Sequence, residues 1–347
     1  MSKRESEIRD AFREQAGFCR ALGSRLTADV LDAVAENLRA DTKTGGRVLA
    51  WRGDPAPTAD ALALRLAGGL HALARSGKDE ALSDAYRGTG DVAGAVAEAL
   101  LVHDDWLESW FDSPPQTNEP GRAAAVMAAL LVAAQRYPLP VELFEIGSSA
   151  GLVLNLGHYR YDLGGTKAGD PASPLLLEPE WRGPAPPAAD IEIVSRRGVD
   201  LRPIDLCEAA AGERLAAYCW ADQKRRVDNA DRAIALARRH PPPIDAGDAA
   251  DWVARTLAEP REDGRLRIFF HTITLQYLPD DAQNRVRAAV AEAGARASET
   301  RPFGWISFEL PKSGKPVELR LRLWPSGDDL LLANAHPHAS WIEWFDG

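Results

Sequence analysis

The first hundred or so residues carry apolar side chains at helical spacing. Apolar sets over 62–73 and 92–100 recur at three- and four-residue steps, and glycine and proline clusters punctuate the intervening chain. An earlier set lies on one face of a helix in the same way: Ile8, Phe12, Cys19, Leu22 and Leu26. The pattern predicts an all-helical N-terminal domain over about residues 1–112.

Beyond Ser113-Pro114-Pro115 the pattern changes to short apolar runs that alternate with helical ones. The runs typical of strands are 141–146, 191–194, a short piece near Ile244, 266–271 and 303–310. The helical patterns are 122–137, 205–239, 249–258 and 280–297. This alternation predicts an α/β domain over 113–347, with a mainly parallel, Rossmann-like sheet. A hairpin of 317–324 and 330–335, with a turn at Ser326-Gly327-Asp328, closes the sheet with antiparallel strands.

Residues 157–190 interrupt this alternation. They lack a regular apolar period, and glycines and prolines are spread from Gly164 to Pro187. Long segments of this kind in a compact domain are often functional loops. We therefore expect an insertion here that forms a lid.

Composition narrows the class of protein. The 347 residues are 45% hydrophobic and 27% charged, which suffices for an ordinary core, and the net charge of -10 argues against nucleic acid as a partner. Three widely spaced cysteines indicate a reducing compartment. The charged N-terminus does not read as a secretory signal, and the apolar run 123–135 is too short to span a membrane. We expect a cytoplasmic protein that acts on a small molecule, without a membrane partner.

A glycine-rich turn gives the first chemical signal. Glu145-Ile-Gly147-Ser148-Ser149-Ala150-Gly151 follows a predicted strand and opens a predicted helix. Small residues there let a ligand approach backbone N–H groups at a helix N-terminus.

Three interpretations of this turn compete. In the first, Glu145, Gly147, Ser148, Ser149 and Gly151 form a cofactor-binding loop of the nucleotide type. In the second, Gly147-x-Ser149-x-Gly151 is the nucleophile elbow of a serine hydrolase, with Ser149 as nucleophile. In the third, the turn only packs a strand against a helix. The chain before the turn is helical and lacks an oxyanion loop, which favours the first interpretation.

Polar residues also follow the next predicted strands. Asp200 ends Gly198-Val199-Asp200, Asp248 follows the strand near Ile244, and His271 ends the strand 266–271. Ligands of open α/β sheets bind at the carboxyl ends of strands, where an acidic residue can hold both ribose hydroxyls. A single aspartate in such a position is more often a helix cap. The glycine turn, Asp200, Asp248 and His271, each after a predicted strand and in this order, favour a cofactor crevice.

At this point the sequence resembles known families. The order ELFEIGSSAG, GVDLRPID, AGDA and LRIFFHTI, with a closing hairpin, resembles the class I S-adenosylmethionine-dependent methyltransferase superfamily over about 115–347. Within it, PQTNEPGR, EIGSSAGLVLNL, RRGVDLRPIDL, FHTITLQYL and WIEW resemble an uncharacterised bacterial family of unknown function, over nearly the whole chain. The superfamily resemblance implies S-adenosylmethionine as cofactor, with Gly147–Gly151 against its methionine part, Asp200 on the ribose and Asp248 near the adenine.

The expected reaction is methyl transfer to an unknown small acceptor, which depends on alignment, desolvation and sometimes a base. His271 is the candidate base, because the pKa of a free histidine lies close to neutral; a histidine merely hydrogen-bonded at a strand end fits equally well. Asn118, Glu119 and Tyr277 are expected to line the substrate pocket, in a cleft between the domains, although capping of the following helix also explains the first two. The spacing of His336 and His338 offers no third ligand, so no metal is expected. A non-catalytic cofactor-binding or regulatory protein remains an alternative.

Overall fold

The computed structural model of the protein describes residues 2–57, 59–311, 314 and 316–345. The α-helices are α1 Lys3–Ala21, α2 Arg25–Asn37, α3 Lys43–Leu49, α4 Leu62–Ser76, α5 Glu80–Arg87, α6 Val92–Val102, α7 Asp104–Glu108, α8 Ala123–Arg136, α9 Ala209–Ala217, α10 Lys224–Arg239, α11 Ala249–Ala258 and α12 Asp280–Ala295. Short 3-10 helices lie at Ser109–Phe111, Pro120–Arg122, Leu156–His158 and Leu275–Tyr277. The strands are β1 Val141–Ile146, β2 Arg160–Leu163, β3 Thr166–Gly169, β4 Leu176–Leu177, β5 Glu180–Arg182, β6 Ile193–Asp200, β7 Ile244–Ala246, β8 Leu266–Thr272, β9 Phe303–Glu309, β10 Val317–Trp324, β11 Asp329–Ala335 and β12 Trp341–Trp344.

The chain forms two compact units. The first comprises Met1–Thr117 and Cys207–Asp231, and the second comprises Asn118–Leu206 and Arg232–Gly347. The sequence analysis assigned 207–231 to the α/β domain, whereas the structure groups this segment with the helices. The reason is packing within the first unit, where the buried His71 ring bonds through Nδ1 to the carbonyl oxygen of Ala217 at 3.0 Å.

The first unit is helical, as its apolar spacing predicts. The apolar faces of its helices pack into one core in which Ile8, Phe12 and Leu66 are fully buried. Helix α1 begins with a capping box, in which Ser2 and Glu5 satisfy each other's backbone amides. Among the described residues of the chain, no helix combines the length and apolar content that a membrane span needs.

The second unit is built on a nine-stranded sheet in the order β5-β12-β11-β10-β9-β8-β1-β6-β7. The five strands from β7 to β9 are all parallel, and β9 to β12 form an antiparallel meander. The predicted hairpin is therefore present as β10 and β11. Strands β12 and β5 were not predicted, and they pair with each other in parallel at the edge of the sheet. The large, mostly parallel sheet with helices confirms the α/β class.

The centre of the sheet is its most apolar part. Strand β8 is buried along its whole length, and in register with it β1 places Phe144 beside Phe269. Phe144, Trp252 and Phe303 pack in one core with helices α11 and α12. Continuous apolar runs of this kind are typical of parallel strands covered on both faces.

Residues 157–190 form local sheet structure. Strands β3, β2 and β4 make a separate three-stranded sheet, and β5 joins the main one. Tyr159 and Tyr161 are fully buried there and donate their hydroxyls to the carbonyl oxygens of Leu152 and Leu156. Part of the segment, 167–170, lines a cavity near Pro138 and Pro140, which precede β1. This cavity lies at the end of the strands opposite to the glycine turn, and the role of 157–190 as a lid over that turn stays a prediction.

The hairpin of β2 and β3 offers a matched test of backbone strain. Gly165 and Gly169 both adopt positive φ, but a Cβ on Gly169 would collide with the carbonyl oxygen of Tyr159, while one on Gly165 meets no atom within 4 Å. We expect Gly169→Ala to lower the free energy of unfolding by about 3 kcal/mol or more, and Gly165→Ala by about 1–2 kcal/mol for conformational strain alone. Urea unfolding followed by circular dichroism measures both values. Equal losses would contradict the steric argument.

Candidate functional site

The order of the parallel strands reverses between β1 and β8. From β1 the chain continues to β6 and β7 on one side, and it then returns to β8 and β9 on the other side. Open α/β sheets bind ligands in the crevice outside the carboxyl ends of their strands at such a reversal point. The turn after β1, Asp200 at the end of β6 and Thr272 at the end of β8 all lie at this edge. The glycine turn, Asp200 and the end of β8 thus lie at one edge of the sheet, as expected from the sequence.

The glycine turn itself differs from the prediction. No α-helix follows it; residues 149–155 form successive turns that end in the 3-10 helix Leu156–His158. Three left-handed residues account for this, since φ is 68° at Gly147, 53° at Ser149 and 71° at Gly151. Helical backbone cannot continue through repeated positive φ values. The turn therefore lacks the aligned dipoles of a long helix that attract a phosphate.

Side chains and carbonyl groups of the protein already occupy several amides of this turn. The amide of Ser149 donates to Oδ2 of Asp200 at 2.9 Å, and the amide of Leu152 donates to Oδ1 of Asn118 at 2.7 Å. The amide of Gly151 donates to the carbonyl oxygen of Ser148 at 2.6 Å. An anion would have to displace these acceptors, two of which belong to side chains. Asn118 thus contacts the turn through Oδ1, and its role toward a substrate stays a prediction.

Asp200 connects β6 to the glycine turn. Besides the bond to Ser149, its Oδ1 accepts the amide of Arg202 at 2.8 Å. Each carboxylate oxygen has capacity for a further hydrogen bond, because an ionised carboxylate offers about four acceptor positions. A hydroxyl donor can therefore still bind Asp200 without breaking the contacts that hold the turn.

Glu145 is a buried acid at the end of β1. Its side chain is 1% exposed, and its Oε2 has no hydrogen-bond partner among the described residues. Burial raises the pKa of Glu145 to about 8. The negative charge of nearby Asp200 adds to this rise, whereas the hydroxyl of Ser148 and the positive charge of Arg122 oppose it. Glu145 is therefore mostly protonated at neutral pH, and its side chain keeps unused hydrogen-bonding capacity.

The turn after β8 was missed by the sequence analysis. Ile273 adopts φ 54°, which is rare for a β-branched residue, and its amide donates to the carbonyl oxygen of Phe308 at 2.7 Å. Thr274 packs directly against Gly147, so closely that a Cβ on that glycine would overlap the threonine side chain. This contact explains the requirement for glycine at 147. The left-handed Ser149 and Ile273 flank the reversal point on its two sides.

His271 does not have the surroundings of a catalytic base. It is fully buried, its Nδ1 bonds to Oε1 of Glu309 at 2.6 Å, and its Nε2 accepts the indole N–H of Trp305 at 3.0 Å. An indole only donates, so Nε2 accepts this bond and both ring nitrogens are occupied. The predicted role as base is corrected accordingly. The same carboxylate oxygen of Glu309 accepts the amides of Thr274 and Leu275, so His271 supports the turn after β8.

Arg122 and Glu119 begin the segment that leads into α8. Arg122 donates to the carbonyl oxygens of Thr272 at 2.9 Å and Pro337 at 3.0 Å, which fixes the start of α8 at the end of β8. Glu119 is 3% exposed, and its Oε1 accepts the amide of Gly121 at 3.2 Å, which is a helix-capping contact. Glu119 therefore has the capping role that was the alternative interpretation for this residue.

The remaining predicted residues lie further out. Asp248 is exposed and caps α11 by accepting the amide of Asp251 at 2.9 Å. Tyr277 is 71% exposed at the end of a 3-10 helix. The binding roles of both side chains stay predictions.

Ser149 meets only part of the requirements for a nucleophile elbow. Its backbone is left-handed, as in such elbows, but the side chain is 6% exposed and its Oγ has no hydrogen-bond partner among the described residues. A catalytic serine needs a base within hydrogen-bond reach. Within the same described part of the chain, no three histidine, cysteine or acidic side chains converge as a metal site requires.

The fold and this edge define an α/β protein with polar side chains clustered at the reversal point of a mostly parallel sheet. Residues 9–344 match a family described as an uncharacterized protein conserved in bacteria (DUF2332), and the chain belongs to that family. This confirms the resemblance to an uncharacterised bacterial family. A comparison with curated proteins finds no match.

The buried acid gives a pH-dependent stability. The pKa of Glu145 is raised to about 8 in the folded state against 4.5 for the free group, so folding takes up a proton between these values. Stability from this group is fully present below pH 4.5 and is lost as pH rises through 8, with a slope of at most about 1.4 kcal/mol per pH unit. We expect Glu145→Gln to remove this decline.

Urea unfolding between pH 5 and pH 9 tests this expectation. The stability difference between Glu145→Gln and wild type should shift in favour of the variant as pH rises. The exposed Glu299→Gln serves as control and should follow the wild-type profile. Parallel profiles for wild type and Glu145→Gln would show that Glu145 is ionised in the folded protein throughout this range.

Proposed function

We propose that the second unit binds S-adenosylmethionine at the carboxyl ends of β1, β6 and β8 and transfers its methyl group to a small acceptor. The observation that carries this proposal is the bond between Asp200 and the amide of Ser149, at the reversal point of the sheet. This bond places Asp200, at the end of β6, against the glycine turn. The strand order β7-β6-β1-β8-β9 supports a Rossmann-like core around that point.

Charge distinguishes among nucleotide-type ligands. Asp200 and Asn118 occupy turn amides that a phosphate would need, and Asp200 keeps free acceptor positions. Such surroundings favour a ligand that brings donors and positive charge over one that brings phosphates. S-adenosylmethionine has a sulfonium, an ammonium and two ribose hydroxyls, so the residues present fit its donor groups.

The roles of individual residues follow from these contacts. Asp200 would accept the ribose hydroxyls through its remaining lone pairs, and Gly147 and Gly151 would let the ligand approach the backbone. Glu145, mostly protonated at neutral pH, would supply no counter-charge to the ligand. The sulfonium supplies a reactive methyl group when the cofactor is bound. The chain's contribution is then orientation and exclusion of water, and with His271 engaged in structure no base is assigned.

Calorimetry tests cofactor binding. We expect wild type to bind S-adenosylmethionine and S-adenosylhomocysteine, and Asp200→Ala to bind both at least about tenfold more weakly, because it loses hydrogen bonds to a charged acceptor. The exposed Asp263→Ala is a matched control and should bind as wild type does. ADP should give no heat, since its phosphates meet occupied amides and acidic side chains.

Two results would overturn the proposal. One is absence of heat from wild type at millimolar S-adenosylmethionine. The other is labelling by a fluorophosphonate probe that is lost in Ser149→Ala, since this would favour the hydrolase interpretation. Binding without methyl transfer to any tested acceptor would leave the non-catalytic, cofactor-binding alternative in place of the enzyme.

A further inference from the structure

A cavity lies at the end of the strands opposite to the glycine turn. It has a volume of about 690 Å³ and is bordered by Pro138 and Pro140, which precede β1, and by Ile193, which begins β6. Small-molecule sites typically have volumes of about 300–1,000 Å³. All of its lining residues belong to the second unit. The cavity is thus separate from the carboxyl edge where the cofactor is proposed.

Arg196 provides the charged group of this cavity. Its Nη2 donates to the carbonyl oxygen of His240 at 3.2 Å, but its Nε is buried and has no hydrogen-bond partner among the described residues. A buried donor left unsatisfied costs free energy, and more so when the group is charged. Because the buried Nε offers no surface to a ligand, the Nη N–H groups that His240 does not use are the donors available to the cavity, and a carboxylate is their natural partner.

The wall of the cavity contains apolar side chains and one histidine ring beside its charged groups. Met127, Leu139 and Ile193 line one part of it. The ring of His158 also lines it and stacks on His240 with centroids 4.1 Å apart. Burial, Arg196 and His240 lower the pKa of His158, so this ring adds a neutral planar surface near neutral pH. These surfaces favour an apolar side chain on the ligand.

Acidic side chains complete the lining. Asp170, Asp190 and Glu192 are exposed, whereas the other cation of the lining, Lys167, is paired with Asp162. The lining thus combines one guanidinium, that of Arg196, with three exposed carboxylates. This excess of negative charge argues against a polyanion such as a nucleotide as the ligand. The guanidinium and the carboxylates together match a ligand with one negative and one positive group.

We propose that this cavity binds a free α-amino acid with an apolar side chain. The ligand's carboxylate bonds to Arg196, its side chain packs on Met127, Leu139 and Ile193, and its ammonium group faces Asp190 and Glu192. The site needs no cofactor, so it is independent of the proposed methyl transfer.

Calorimetry with three probes tests this assignment. L-leucine should bind to wild type, while N-acetyl-L-leucine, which lacks the ammonium, and L-leucinamide, which lacks the carboxylate, should each bind at least about tenfold more weakly. Arg196→Gln should weaken L-leucine binding by a similar factor. Arg160→Gln, an exposed arginine of β2, is the matched control and should bind as wild type does.

A second variant covers the case in which Arg196→Gln does not fold. Asp190→Asn combined with Glu192→Gln changes only exposed side chains, and it should weaken binding of L-leucine while leaving that of N-acetyl-L-leucine unchanged. The proposal would be overturned if wild type bound neither L-leucine nor L-phenylalanine, which is a larger probe. Equal binding of N-acetyl-L-leucine and L-leucine would also overturn it, because the cavity would then recognise carboxylates without an ammonium.

Discussion

The bond from the amide of Ser149 to the carboxylate of Asp200 holds the carboxyl edge of the sheet together. No α-helix follows β1, and the amides of Ser149 and Leu152 donate to side chains from elsewhere in the chain. Asp200 lies 51 residues away from Ser149, and Asn118 lies 34 residues before Leu152. The turn therefore acquires its shape only when β6 and the start of α8 are in place.

Strain is concentrated around the same point. Ser149 and Ile273 both adopt left-handed backbone, which costs of order 1–3 kcal/mol for each residue and persists only where neighbouring groups impose it. Asp200 imposes it on one side, and Glu309 accepts two amides of the other turn. His271 belongs to this second support, since its Nδ1 bonds to Glu309. A histidine at a strand end, chosen from sequence as a base, thus contributes by fixing a strained turn.

Local patterns in the sequence predict the sheet well, and non-local contacts explain what they miss. Strands β1 and β10 and helix α11 have the predicted bounds, because an apolar run or a helical period marks each of them. Strands β5 and β12 pair across some 160 residues, and neither has a run of its own that identifies it. The contact of Thr274 with Gly147 and the bond of Trp305 to His271 are likewise invisible along the chain. The candidate edge was predictable, but the state of its groups was not.

The two ends of the parallel strands differ in which hydrogen-bonding groups they leave unsatisfied. At the carboxyl end, side chains already accept the amides of the turn, and what remains open are acceptor positions of Asp200. At the amino end, what remains open are N–H groups of the Arg196 guanidinium that the bond to His240 does not use. An open acceptor selects a donor or a cation, and a guanidinium N–H selects a carboxylate. Charge at the two ends therefore argues for two different ligands, although Asp200 and Arg196 stand on the same strand, β6.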